Sequence, residues 1–274
     1  QLKENGKGNS TQTVKNKIDT IAPAFAKAEE EEIIPKNPFR KYTNALLVTK
    51  RGVKQIQANR SWINDDLSEG ALTRLVLAAS DKFSNSRSPN HKYMMPLIGL
   101  ALFTGARIEE LCRLTTGDIK TRPHLKLRYI DISEAKSEAG VREIPLLPIA
   151  EQIIDRLIQR LPHGEARLFP DLRPRDGRYS HGPSNEFSRF KKSLGYVQKN
   201  EYTFHSFRST VITLLDRNNV QNDYISMMVG HVEGRNTLAK KIYSAGRQLK
   251  QLLTAVSCIS YGDELEHALT RSTR

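Results

Sequence analysis

With 274 residues and a formal net charge of +13 at pH 7, the chain has room for one well-packed domain plus a smaller one, and its charge points to an anionic partner. Its longest apolar stretch, residues 94–103, is too short to span a bilayer and contains Pro96 and Gly99, so it reads as a buried helix instead of a membrane anchor. Two cysteines, Cys112 and Cys258, provide neither a disulfide framework nor a zinc site and fit a reducing cytoplasm.

Nucleic acid suits this charge better than a membrane surface, because the basic residues are spread through mixed segments and do not form one basic amphipathic helix. The plain alternative is a basic soluble enzyme. Residues 1–12 are polar and expected to be frayed. From Thr13 the apolar positions Val14, Ile18, Ile21, Phe25 and Ala28 step by three or four, the spacing of a helical face. Pro23 interrupts that face and predicts a kink or two abutting helices. Residues 29–32 read as a solvated acidic helix end, and Pro35 and Pro38 stop the helix. Residues 41–64 are expected as a linker, with a short strand at 45–49.

The main domain is expected over residues 65–256, with 257–274 as a C-terminal tail. Leu67, Leu72, Leu75 and Leu77 open its first helix, and further helices are predicted over 93–103 and 107–114. Two β-prone runs, 125–132 and 141–146, flank a polar loop and predict a β-hairpin. Residues 149–161 are again helical, and a Pro/Gly/Arg-rich loop follows over 162–183. Helices are then expected over 184–194, 205–218, 222–229, 238–243 and 247–256. The predicted class is mainly α with a small antiparallel sheet.

Against this frame stand five dispersed cations and a tyrosine: Arg107, Lys136, His205, Arg208, His231 and Tyr243. Displacement at a phosphodiester piles charge onto the non-bridging oxygens, and preorganised cations stabilise it. Arginine suits the task because its planar fork holds two phosphate oxygens at once. Arg107 follows Thr104-Gly105, where glycine permits a sharp turn between helices. His205 and Arg208 are three apart, so on a helix they share a face. His231 follows Gly230 at a predicted helix end, and Lys136 sits in the hairpin loop. A phenol is a poor nucleophile when neutral, so clustered cations or a general base must assist Tyr243. Taken singly, each has a bland reading: a helix-start arginine, a capping histidine, a solvated lysine, a packing tyrosine. Glu110 either buttresses the cations from behind or forms a surface salt bridge. No carboxylate pair or histidine cluster suggests a metal site.

Four separated segments, Thr104-Gly105-Ala106-Arg107-Ile108-Glu109-Glu110-Leu111, Gly140-Val141-Arg142-Glu143-Ile144-Pro145-Leu146, Thr203-Phe204-His205-Ser206-Phe207-Arg208 and Gly230-His231 followed by Tyr243, resemble the tyrosine recombinase (phage integrase) family. The resemblance spans about residues 65–250, with a weaker match over 13–40 to the last helix of the DNA-embracing core-binding domain. Residues 1–40 are therefore expected as the end of that domain, and the sequence, which starts at Gln1, as a piece of a longer protein.

The resemblance implies the catalytic fold of that family and site-specific DNA recombination through a 3′-phosphotyrosyl intermediate. Arg107 and Arg208 would clamp the scissile phosphate, His205 would contact it or carry a proton, and His231 would hydrogen-bond it. Lys136 would protonate the departing 5′ oxygen, and Tyr243 would be the nucleophile. The twelve-residue gap from His231 to Tyr243 is longer than usual in the family. No metal or small-molecule cofactor is implied. The partners would be double-stranded DNA and, on synapsed sites, a homotetramer of the chain, encoded by a mobile element and acting in the cytoplasm or nucleoid of a bacterial cell, or of the host cell if phage-encoded. Arg173, Arg175, Arg178, Lys191, Lys192, Lys240 and Lys241 are the basic groups expected along DNA. Residues 247–256 would form a helix that docks on a neighbouring subunit or packs within its own chain. A type IB topoisomerase and a non-enzymatic DNA-binding regulator on the same fold are the alternatives.

Overall fold

A helix from Thr11 to Glu30 (α1) opens the computed structural model of the chain. The structure describes residues 11–39, 60–64, 67–84, 86, 88–133, 140–197, 202–230 and 245–271. Two compact units result, 1–57 and 58–274. In the first, α1 starts two residues before the apolar stripe and continues through Pro23 as one helix and not as two abutting ones. Proline forfeits its own N–H bond and crowds the carbonyl four residues back, and the flanking turns carry the helix across that point. Its end is closed by Ile33 N–H donating to Ala28 O at 2.9 Å, with Glu32 at positive φ. The edge of one ring meets the other where Phe25 and Phe39 pack at 4.9 Å.

The second unit is built around a helix that is apolar on every side. Every residue of α4 (Met94–Thr104) is buried, and it packs against α2 (Ala71–Phe83), α6 (Pro148–Gln159), α8 (Ser206–Arg217) and α11 (Asp263–Arg271). Such a helix is stable only at the centre of a bundle. Between α2 and α4 lies the single turn α3 (Pro89–Lys92), and α5 (Ile108–Arg113) follows α4 after a glycine turn. Further along come α7 (His181–Ser193), α9 (Asn222–Val229) and α10 (Ala245–Val256).

The sheet has three antiparallel strands in the order β1 (Ile119–Arg122), β2 (Leu127–Ile132) and β3 (Arg142–Pro145). Ile119, Ile130 and Ile144 face one another across it, and the latter two are fully buried. The sequence predicted only the β2–β3 pair. β1 is a polar edge strand whose Lys120 and Thr121 are exposed, so no apolar alternation announces it. Two ion pairs, Lys120 with Asp131 and Arg122 with Glu143, tie its ends to the other strands.

Two expected boundaries shift. Trp62, in the stretch expected as linker, is buried among Phe187, Tyr196, Tyr202 and Phe207, and its backbone N–H donates to Thr210 Oγ1 at 2.8 Å. The expected C-terminal tail carries α11, whose Leu265 and Leu269 are buried in the main core. The α10 helix packs on β3 and α9 of its own chain through buried Leu249, Leu252 and Val256. Among the described residues, no helix is long and apolar enough to cross a membrane.

Candidate active site

The turn after α4 sets the geometry. Gly105 caps that helix at φ +63°, and a Cβ there would lie 2.9 Å from Val229 Cγ1 and 3.5 Å from Val211 Cγ1. Both the backbone conformation and the close approach of α8 and α9 therefore require glycine. The turn frees the Gly105 carbonyl to accept from Arg208 Nη1 at 2.9 Å. It also leaves Arg107 as the N-cap of α5.

Arg107 is held by Glu110, three residues on. The Glu110 carboxylate accepts from the Arg107 backbone N–H at 2.8 Å and from its Nη1 at 2.8 Å. A third contact runs from Arg107 Nη2 to Gly230 O at 3.5 Å, at the end of α9. The Arg107 side chain stays 42% exposed, so a ligand can reach it.

Arg208 lies in the first turn of α8 and is 1% exposed. Its Nε and Nη2 are buried and have no hydrogen-bond partner among the described residues. Burial, together with the nearby charges of Arg107 and Arg142, lowers its pKa to about 9 against a partial pull from Glu110, so it remains a cation at neutral pH. A buried guanidinium with two unmet donors is poised for an anion. His205 stands exposed at the N-cap of the same helix, and its carbonyl accepts from the backbone N–H groups of Arg208 and Ser209 at 3.1 and 3.3 Å.

A further arginine belongs to the cluster that sequence reasoning did not single out. Arg142, on β3, is 7% exposed and donates through Nη2 to Glu110 Oε2 at 2.8 Å and through Nη1 to Glu110 Oε1 at 3.3 Å. Its Nε reaches Met228 O at 2.9 Å and Nη1 also reaches Gly140 O at 2.8 Å. The available signal was a lone arginine at a core-facing strand position. Burial pushes the Glu110 carboxyl up, but the hydrogen bonds and charge of Arg142, and the hydrogen bonds of Arg107, outweigh it and hold the pKa at about 2. Glu110 is thus an inward buttress and not a surface salt bridge.

The basic residues expected along DNA divide. Arg173, Arg175, Arg178 and Lys192 are exposed. Lys191 is 3% exposed, so it does not present its ammonium at the surface. Its neighbour Lys192 points the other way because adjacent positions on α7 are about 100° apart. Arg175 and Arg178 exchange two backbone hydrogen bonds of 3.0 Å around Asp176 and Gly177, both at positive φ. This tight turn was legible in the Asp-Gly pair, though the segment read simply as loop. Glu109 anchors it: its carboxylate accepts from Arg113 Nε at 2.8 Å and from the backbone N–H groups of Tyr179 and Ser180 at 3.2 and 2.8 Å. Tyr179 lies under the Arg167 guanidinium at 3.6 Å.

Lys136, His231, Tyr243, Lys240 and Lys241 lie outside the described residues, as does the helix expected over 238–243. Two other tyrosines are engaged elsewhere. Tyr202 is 5% exposed, and the Tyr261 hydroxyl donates to Leu102 O at 2.8 Å, with burial pushing its phenol well above the usual range.

Residues 67–247 match the model of the Phage integrase family, an interval that contains the arginine cluster and Tyr243. The chain belongs to the phage integrase family. It is accordingly a tyrosine-type site-specific DNA recombinase. Solved structures with the same fold include a Tn1549 transposon integrase in complex with circular intermediate DNA, at TM-score 0.55 and 18% identity, covering 93% of this chain and 77% of that one. A lambda integrase dimer bound to a COC′ core site matches at TM-score 0.53 and 19% identity, over 84% of this chain and 59% of that one. No curated protein matches the chain.

Proposed function

We propose that Arg107 and Arg208 clamp the scissile phosphate of double-stranded DNA and that Tyr243 attacks it. The phenolic oxygen gives up its proton to His205 and bonds to phosphorus as the bond to the 5′ oxygen breaks, leaving a 3′-phosphotyrosyl link. The 5′ oxygen takes a proton from Lys136 and leaves as a hydroxyl. His205 and His231 complete the phosphate contacts. Because bond energy is retained in the covalent link, a 5′-hydroxyl from a partner strand can reseal it. The observation that carries this reading is Arg208: a buried cation with two unmet donors, electrostatically coupled to the exposed guanidinium of Arg107. Exposed Arg173, Arg175, Arg178 and Lys192 follow the flanking backbone, with Lys240 and Lys241 as further contacts.

Strand exchange by this chemistry needs four cleaved strands, so the working assembly is a homotetramer across two DNA sites, acting in the cytoplasm. The integrases of like fold were solved with DNA, which supports the partner. The test is covalent capture on a nicked duplex, from which the short product strand diffuses away and traps the adduct. Wild-type chain should form a protein–DNA adduct, in EDTA as well as without it, and Tyr243→Phe should form none while binding DNA as before. An adduct that survives in Tyr243→Phe would remove the nucleophile. Supercoil relaxation without transfer between two marked duplexes would favour the topoisomerase reading.

A further inference from the structure

Arg142 is buried, charged and tied to two segments that are distant in sequence. Its four hydrogen bonds join β3 and Gly140 to Glu110 on α5 and to Met228 near the end of α9. Desolvating a guanidinium costs several kcal/mol, and a position needing only packing is served better by an aliphatic side chain. The charge must therefore act on something, and Glu110 receives it.

The charge count shows how. Glu110 lies between Arg107 and Arg142, and each carboxylate oxygen accepts from both residues. With Arg208 nearby, three guanidiniums stand against one carboxylate among the described residues, a net of two positive charges in this cluster. Without Arg142, Glu110 would be left with Arg107 alone and would neutralise it, halving that net charge. The bond to Met228 O also fixes the end of α9, where Gly230 O meets Arg107 Nη2.

We propose that Arg142 is a positioning residue for DNA cleavage: it takes up the charge of Glu110 and locks α5 to the end of α9, so that the Arg107 guanidinium stays cationic and aimed at the scissile phosphate. This rests on the reading of Arg107 as a phosphate clamp. The residue touches no DNA itself; it acts through Glu110.

The experiment uses the full chain and a nicked duplex selected by wild-type covalent capture from a random-sequence pool, made with the natural phosphate or with a neutral methylphosphonate at the cleavage position. At saturating DNA, Arg142→Met should slow adduct formation about 10- to 100-fold while the DNA Kd moves by less than about threefold. Arg142→Lys should recover part of the rate. The Arg142→Met defect should shrink at least about tenfold on the methylphosphonate, as that of Arg107→Ala does, because a neutral phosphorus centre asks less of the cation. Adding Glu110→Gln to Arg142→Met should speed cleavage by removing the carboxylate that neutralises Arg107. An equal defect on both substrates, or a double variant slower than Arg142→Met, would assign Arg142 to structure alone and overturn the proposal. Should Arg142→Met fail to fold, the same two comparisons on Arg142→Lys decide it. A wild-type chain that forms no adduct would overturn the cleavage reading itself, an outcome separate from any behaviour of the Arg142 variants.

Discussion

Arg208 Nη1 donates to the Gly105 carbonyl at 2.9 Å across 103 residues of chain, and Nε and Nη2 of that guanidinium have no hydrogen-bond partner among the described residues. The contact joins the α4–α5 turn, which presents Arg107, to the first turn of α8. One backbone carbonyl thereby fixes the spacing of the two arginines. It also leaves a desolvated charge in the folded protein, so stability and activity pull in opposite directions here.

Arg208→Met should abolish cleavage, by a factor of about a hundred or more, without lowering the Tm. Folding lowers the Arg208 pKa from the usual guanidinium range to about 9, so the folded chain holds this proton less tightly than the unfolded chain. The resulting destabilisation is fully present below pH 9 and fades as pH rises above it. The Tm advantage of the variant should therefore be largest near neutrality and shrink above pH 9. Thermal melts of both proteins across that range check this; a variant several degrees less stable at pH 7 would contradict it.

Gly105→Ala should cost more than the strain of a left-handed alanine, about 1–2 kcal/mol, because its Cβ would stand 2.9 Å from Val229 Cγ1. Gly177→Ala is the matched control, at φ +71° with no atom within 4 Å of the added carbon. Denaturant melts should rank Gly105→Ala well below Gly177→Ala, and only the former should lose adduct formation. Equal losses would show that the packing of α9 on the turn is slack.

Glu110→Gln should destabilise the protein by about 3 kcal/mol at pH 7 through the loss of charge between two guanidiniums. The carboxyl is lowered from 4.5 to about 2 on folding, so its contribution is fully present above pH 4.5 and is lost as pH falls towards 2. The stability gap between wild type and variant should stay constant above about pH 5 and close progressively from there towards pH 2. A gap constant over that range would mean that the carboxylate charge is not what Arg107 and Arg142 hold.

DNA binding should depend steeply on salt, and the exposed turn should contribute to it. Each neutralised phosphate adds about −0.9 to the log–log slope, so Arg175→Ala with Arg178→Ala should flatten it by about 1.8. Lys191→Met should leave the slope unchanged, because that side chain is 3% exposed. Titrations at several salt concentrations separate the two, and a Lys191 effect as large as the arginine pair would contradict the surface assignment.

The sequence by itself determined most helices and the chemical types in the site. The unbroken apolar run of α4 and the period of α9 are local properties, set by which neighbours three or four residues away share a face. The turn at Gly105 and the order of Arg107, His205 and Arg208 were likewise legible, because each is written in consecutive residues. Strand β1 and helix α11 were not: one is a polar edge defined by its partner, and the other buries its leucines only because α2, α4 and α6 offer a surface.

Only the tertiary structure decided which charges act together. Arg142 meets Glu110 over 32 residues and Met228 over 86, separations that no local pattern encodes. Lys191 and Lys192 are identical in sequence terms, yet one is buried and the other exposed. A residue type fixes the charge that is available. Desolvation, pairing and pKa belong to the neighbours that folding assembles, and those neighbours make Arg208 a poised cation, Glu110 a shared counter-charge and Arg142 the residue that balances them.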